Sequence, residues 1–189
     1  MAFLDTLTVE PLPPAEKAGG FDFGEPELTD YLCDGTAQKD QLASMARTYI
    51  VRSDGALVGY FSVLADAIRL STKERPHGRP YGSAPAVKLG RMGVAKEYRG
   101  CGVGEWILDF VVGMARSMSA GVGVRYVTLD ALSRDKLVAW YGRYGFVRNE
   151  GHERGLKILR EALARISAGK DLPQVSMRFD ILLEREVAK

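Results

Sequence analysis

Apolar positions recur along this chain with two periods, close to two and close to 3.6. In "EPELTDYLCDGTAQKDQLAS", Leu28, Tyr31 and Leu32 fall at helical spacing, which predicts one or two helices. "RTYIVRSDGALVGYFSVLADAIRL" is rich in Ile, Val, Tyr and Phe on either side of Asp54-Gly55, and it reads as a hairpin turning at that dipeptide. "AVKLGRMGVA" is a further strand anchored by Val87, Leu89 and Val94. The clearest helix follows "RGCGVG": Ile107, Phe110, Val111, Met114, Ala115 and Met118 form one face at a 3.6-residue period. "GVRYVTLDAL" is nearly all apolar, as a strand buried on both faces would be. "SRDKLVAWYGRY" is a short helix with Ser133 as its expected N-cap and Gly145 near its end, and "GFVRNE" starts another strand. Leu156, Leu159, Leu163 and Ile166 predict a helix over 155–168, stopped at Gly169. Val175, Met177, Phe179 and Ile181 alternate as in a terminal strand.

Strands alternating with helices imply a mixed α/β sheet. Within 189 residues no linker divides the pattern, so a single domain over 1–189 is expected. Residues 1–20, with Pro11, Pro13, Pro14, Gly19 and Gly20, form an arm or sheet-edge segment, and 150–189 add a C-terminal helix and strand. An exposed strand edge offers a route to a homodimer.

Composition changes this picture little. Two cysteines rule out a disulfide framework and suggest a reducing compartment. No apolar run reaches a membrane span, and "MAFLDTLTVEPLPPAEK" lacks the pattern of a secretory signal, so a cytoplasmic protein with no membrane partner is expected. Two histidines and two cysteines at unrelated spacings suggest no metal site. The net charge of +2 is small, but Arg69, Lys73, Arg75, Arg79, Lys88 and Arg91 against Glu74 give +5 between 69 and 91. That segment either steers anions or is a solvated loop.

The stretch with candidate chemistry is "EYRGCGVGEWILDF". Glycines at 100, 102 and 104 precede a helix directly. The first N–H groups of a helix lack intrahelical partners and carry about half a positive charge from the macrodipole. Glycines let an anion approach those amides without meeting a Cβ. Arg99 can add a charge-assisted bond. A nucleotide-binding GxxxxGK[ST] loop is absent, and Glu105 stands where a dinucleotide fingerprint needs a small residue. A glycine turn that merely packs the helix on a sheet is the other reading.

"LGRMGVAKEYRGCGVGEWIL" resembles the acyl-CoA signature of the GNAT superfamily of N-acetyltransferases, with Arg99-Gly100-Cys101-Gly102-Val103-Gly104 in the place of its glycine loop. The resemblance implies a GNAT-like, mostly antiparallel sheet flanked by helices. It implies that acetyl-CoA is the cosubstrate, held at its pyrophosphate by the loop amides. It also implies that backbone near Met92, Gly93 and Val94 pairs with the pantetheine arm. Distorted strand backbone, with Gly90 and Gly93 nearby, can expose an N–H to the thioester oxygen. "AWYGRYGFV" resembles the family's FYxxxGF pattern, with Trp140 for Phe, then Tyr141, Gly145 and Phe146. Arg134 and Leu137 depart from the residues common before it.

"FDFGEPELTDYLCDGTAQ", "RTYIV", "LVGYFSV" and "PAVKLGRMGV" extend the resemblance to the toxin-type branch of toxin–antitoxin acetyltransferases, over residues 21–149 in all. It implies transfer of acetyl to the amino group of aminoacyl-tRNA and an antitoxin protein as partner. Other acceptors consistent with GNAT are a small amine, a peptide N-terminus or a lysine; a non-catalytic acyl-CoA-binding module is a third class. Tyr141, with a reference phenol pKa of about 10, is the expected general acid for the leaving thiolate. Asp130, Glu97 and His77 are the candidate bases, with a water relay as the alternative. Cys101 reads as a small tolerated side chain rather than a nucleophile.

Overall fold

The computed structural model describes residues 3–14, 16, 21–76, 80–154 and 174–183. His77, Arg79 and the expected helix at 155–168 with Gly169 lie outside the described residues, although helical backbone already begins at residue 150. A short 3-10 turn at Phe3–Thr6 leads into β1 (Leu7–Pro11). There follow α1 (Pro26–Cys33), α2 (Thr36–Leu42), β2 (Arg47–Ser53), β3 (Ala56–Arg69) and β4 (Ser83–Val94). Next come α3 (Val103–Met118), β5 (Tyr126–Leu132), α4 (Asp135–Tyr144), β6 (Val147–Arg148) and β7 (Gln174–Asp180). The seven strands are ordered β1-β2-β3-β4-β5-β7-β6. The pairs β1/β2, β2/β3, β5/β7 and β6/β7 are antiparallel. This is the mixed, mostly antiparallel α/β sheet expected from the sequence, with residues 7–11 as an edge strand.

By contacts the chain divides into two compact units, Met1–Ala65 with Leu89–Gly113, and Asp66–Lys88 with Met114–Lys189. In the first, the hairpin turns where its dipeptide predicts: Asp54 and Gly55 both take positive φ, 48° and 82°, as a type I′ turn requires. Its core gathers Leu12, Phe23, Tyr31, Leu32, Ile50, Leu57 and Tyr60. The Tyr60 ring meets Phe23 edge-on at 5.0 Å, and its hydroxyl donates to the Leu28 carbonyl at 2.6 Å. Gly59 and Gly93 are glycines for space. A Cβ at 59 would lie 2.7 Å from the Gly93 carbonyl, and one at 93 would lie 2.7 Å from the Tyr60 ring.

In the second unit, Val175, Met177, Phe179 and Ile181 are all buried, as their alternation predicts. Phe179 packs with Tyr144 and Phe146, and Gly145 closes α4 in the left-handed region with φ 117°. A Cβ there would lie 3.0 Å from the Phe179 ring, so conformation and packing both select glycine.

Two local readings need correction. The buried stripe of α3 is Val103, Ile107, Leu108, Val111, Val112 and Ala115, while Phe110 and Met118 of the expected face are exposed. The helix is apolar over so much of its circumference that its period admits both stripes. Phe110 packs instead against Trp106 and Phe61 at 5.9 and 5.7 Å. Second, the N-cap position of α4 is Arg134, not Ser133, and no side chain caps it. The extended backbone of Arg134 starts the helix one residue later than the hydroxyl rule suggests.

Candidate active site

The first unit builds the glycine loop. β4 ends at Val94, and the Ala95 N–H donates to the Val58 carbonyl at 2.9 Å, anchoring the exit of the strand on β3. A 3-10 turn at Lys96–Tyr98 then delivers Arg99 and the glycines. Gly100 and Gly102 adopt φ 78° and 85°. An L-residue in this region costs roughly 1–2 kcal/mol, so both positions favour glycine on backbone grounds alone. Their surroundings differ. A Cβ at Gly102 would lie 3.2 Å from Leu4, whereas one at Gly100 would meet nothing within 4 Å. Gly102 is therefore packed, and Gly100 leaves clear space above the loop.

The first bond of α3 runs from the Trp106 N–H to the Gly102 carbonyl at 3.0 Å. The amides of Val103 and Gly104 thus belong to the first turn, which has no intrahelical acceptor. Cys101, between the two left-handed glycines, is exposed. Upstream, Met92 and Val94 are half-buried and Gly93 is buried. At Gly90 a Cβ would meet Leu64 at 2.8 Å and the Ser62 hydroxyl at 3.2 Å. The Ser62 hydroxyl is buried and finds no hydrogen-bond partner among the described residues. A lone Ser in an apolar strand gave no sequence signal of this.

The sequence also did not show what braces the loop. Arg99 donates from Nη2 to the Phe23 carbonyl, and its guanidinium fills the space a Cβ at Gly24 would take, where φ is 74°. Lys96 pairs with Asp22, and Phe3 stacks flat on Tyr98 at 5.6 Å. The guanidinium expected to face an anion thus ties the loop to residues 22–24 of the same unit.

The second unit holds Tyr141 on α4. It is 8% exposed, with Trp140 edge-on at 4.8 Å and Phe146 at 5.7 Å. Burial disfavours the phenolate and pushes the phenol up from 10 to about 12. The group holds its proton throughout the neutral range, as a general acid must. Asp130 accepts a 2.6 Å ion-paired bond from Lys88. Glu97 is exposed on the 3-10 turn, and His77 lies outside the described residues.

The basic segment is partly consumed within the fold. Besides Lys88, Arg91 stacks over the Tyr31 ring at 4.0 Å, and Arg75 donates to the Pro80 carbonyl at 3.3 Å. Among the described residues, no group of three His, Cys, Asp or Glu side chains is placed to hold a metal ion, and no helix is long and apolar enough to cross a membrane.

A strand, two left-handed glycines and the first turn of a helix thus follow one another in the first unit. The acetyltransferase (GNAT) domain model matches residues 44–148, and the chain belongs to the GNAT acetyltransferase family. It is an acetyl-CoA-dependent N-acetyltransferase, and its similarities fall in the toxin-type branch. A tRNA-acetylating toxin of Mycobacterium tuberculosis (strain ATCC 25618 / H37Rv) is 25% identical over 133 residues, covering 70% of this chain and 79% of that protein. "Probable toxin TacT" of Sinorhizobium fredii (strain NBRC 101917 / NGR234) is 26% identical over 149 residues, covering 73% and 82%. Among solved structures, a tyrosine-to-phenylalanine variant of KacT is 25% identical with a TM-score of 0.68, covering 82% of this chain and 99% of that one. A similar variant of the toxin AtaT, bound to the C-terminus of the antitoxin AtaR and to acetyl-CoA, shares the fold at 21% identity and TM-score 0.65, covering 82% and 98%.

Proposed function

We propose that this acetyltransferase moves acetyl from acetyl-CoA to the amino group of aminoacyl-tRNA. The observation that carries the acceptor is the likeness to a tRNA-acetylating toxin across most of both chains. In this reading the amides of Gly100, Cys101, Gly102, Val103 and Gly104 hold the coenzyme pyrophosphate, with Arg99 bracing the loop. Backbone at Met92, Gly93 and Val94 receives the pantetheine arm. Tyr141 holds a proton at Oη and gives it to the departing sulfur, which leaves as coenzyme A thiol. Two solved relatives carry a Tyr-to-Phe change, which agrees with a tyrosine central to this chemistry. The match over 44–148 runs through both compact units, which supports one catalytic domain over 1–189. A charged-tRNA acceptor supports a cytoplasmic enzyme, and the AtaT–AtaR complex supports an antitoxin partner here too.

The test is incubation of the purified protein with charged tRNAs and labelled acetyl-CoA. Label on the aminoacyl amino group is expected. Transfer only to free amines, peptide N-termini or lysines would replace this acceptor with one of those. A second measurement isolates the loop. Gly100→Val puts a branched side chain into the clear space above the loop, and acetyl-CoA affinity should fall about tenfold or more. The left-handed φ should cost only about 1–2 kcal/mol of stability, a melting shift of several degrees. Unchanged affinity would remove the loop from the coenzyme site.

A further inference from the structure

The second unit contains a cavity of about 240 Å³ beside the connection from β3 to β4, walled by Leu70, Pro76, Ala84 and Pro85. Tyr81 and Arg125 complete its lining. Hydrogen bonds fix its frame: the Leu70 N–H donates to the Gly82 carbonyl and the Arg125 N–H to the Pro85 carbonyl, both at 2.9 Å. Tyr81 is 68% exposed, although it borders an apolar hollow into which an aromatic ring could fold. The cavity is smaller than the roughly 300–1,000 Å³ of drug-sized sites, a size suited to one flat ring system.

Charge narrows the class of occupant. Arg69 and Lys73 are exposed on either side of Leu70 and Ser71. Arg75 runs beneath residues 80–82, with its Nη2 3.5 Å from the Cβ position of Gly82. The acidic groups nearby are committed: Glu74 pairs with Arg178, and Asp180 with Arg125 Nη2, each at 2.6 Å. The Nε atoms of Arg75 and Arg125 are buried and find no partner among the described residues. An apolar slot, an exposed aromatic rim and surplus guanidinium charge are what a single-stranded nucleotide requires, its base stacked and its phosphate paired. An apolar side chain from a protein partner would leave those cations unmatched.

We propose that this cavity receives one unpaired nucleotide of an RNA strand, with its base against Tyr81 and its phosphate among Arg69, Lys73 and Arg75. The identity of the strand as the tRNA acceptor rests on the reading above; the cavity itself does not. The test uses the full-length protein and fluorescence anisotropy, with a short labelled RNA ending in CCA and with deacylated tRNA. Tyr81→Ala should weaken binding of both about 5- to 150-fold, the range of one base–aromatic stack. Tyr81→Trp should restore it. Ser83→Glu, which puts a negative charge at the lining, should weaken it as well, and none of the three should alter acetyl-CoA affinity.

Wild-type affinity in Tyr81→Ala, or no rescue by Tyr81→Trp, would overturn the proposal. Displacement of the RNA by AMP alone at equal affinity would reassign the cavity to free nucleotides and overturn it too. The outcomes separate the two readings. If the wild type acetylates charged tRNA and Tyr81→Ala does so with the same KM, the cavity assignment fails and the acceptor stands. If RNA binds through Tyr81 but charged tRNA is never acetylated, the acceptor fails and the cavity stands.

Discussion

Tyr141→Phe should lower kcat by about 10²- to 10⁴-fold, the usual contribution of a positioned general acid. The KM for acetyl-CoA should hardly change, because the loop proposed to hold the carrier lies on other residues. The fold should survive, since phenylalanine keeps the ring that packs against Trp140 and Phe146. The pH dependence follows from burial. The phenol sits at about 12 rather than 10, so it stays protonated from neutrality through moderate alkalinity. The deficit of the variant should therefore be the same at neutral and at mildly alkaline pH.

Burial of Tyr141 also bears on stability. A folded-state value raised above the unfolded one gives a stabilisation that is complete below pH 10 and is lost as pH rises through about 12. Tyr141→Phe should remove that part of the alkaline unfolding. Thiol release monitored with a chromogenic reagent gives kcat, and melting curves verify the fold. Unaltered turnover in a folded variant would end the acid role.

What the sequence shows of this fold is what is decided locally. Asp54-Gly55 makes its turn because two adjacent residues tolerate positive φ. Gly145 ends α4, and β7 alternates, because cap chemistry and pleat are properties of neighbouring residues. The glycine loop was readable for the same reason: Gly100 and Gly102 serve a backbone path only a few residues long.

Features set by distant partners were not readable. Two stripes fit the period of α3, and only the surface it packs on chooses Leu108 and Val112 over Phe110 and Met118. The contacts of Arg99 with Phe23 and Gly24, about 75 residues earlier in the chain, have no counterpart in the sequence around the loop. The Ser62 hydroxyl lies beside Gly90 of the neighbouring strand, buried and without a hydrogen-bond partner among the described residues, a placement that only the pairing of distant strands creates. Glu74 is the extreme case. In sequence it is the one acid in a basic stretch, a small correction to a charge count.

In the structure Glu74 is a junction, and replacing it should strongly destabilise the second unit. Its Oε2 accepts the Ser71 N–H at 2.7 Å and the Gly151 N–H at 3.0 Å. Its Oε1 accepts the Glu150 N–H at 2.9 Å and Arg178 Nη1 at 2.6 Å. Four donors from three parts of the chain converge on one carboxylate, and the Arg178 and Glu74 side chains are only 11% and 8% exposed. Glu74→Gln keeps the shape but removes the charge and turns an amide donor toward other donors. Arg178 is left as a buried charge without its counterion, which typically costs about 3–5 kcal/mol. At about 2–4 °C per kcal/mol for a chain of this size, melting should fall by roughly 6–20 °C.

The exposed Asp22–Lys96 pair is the internal control. Its side chains are 58% and 57% exposed, and Asp22→Asn should cost no more than about 1 kcal/mol. The pH dependence carries a definite sign. Burial alone would raise the Glu74 carboxyl, but the Ser71 hydrogen bonds, the Arg178 charge and the Gly151 amide outweigh it and hold it below its usual 4.5. Its stabilisation is thus complete above that value and is lost as pH falls through the lowered one. Urea unfolding at neutral pH should show the full gap between wild type and Glu74→Gln, and the gap should narrow on acidification. A neutral-pH gap no larger than that of Asp22→Asn would mean that the four bonds merely accompany the packing of residues 71–75 on 149–151 and do not secure it.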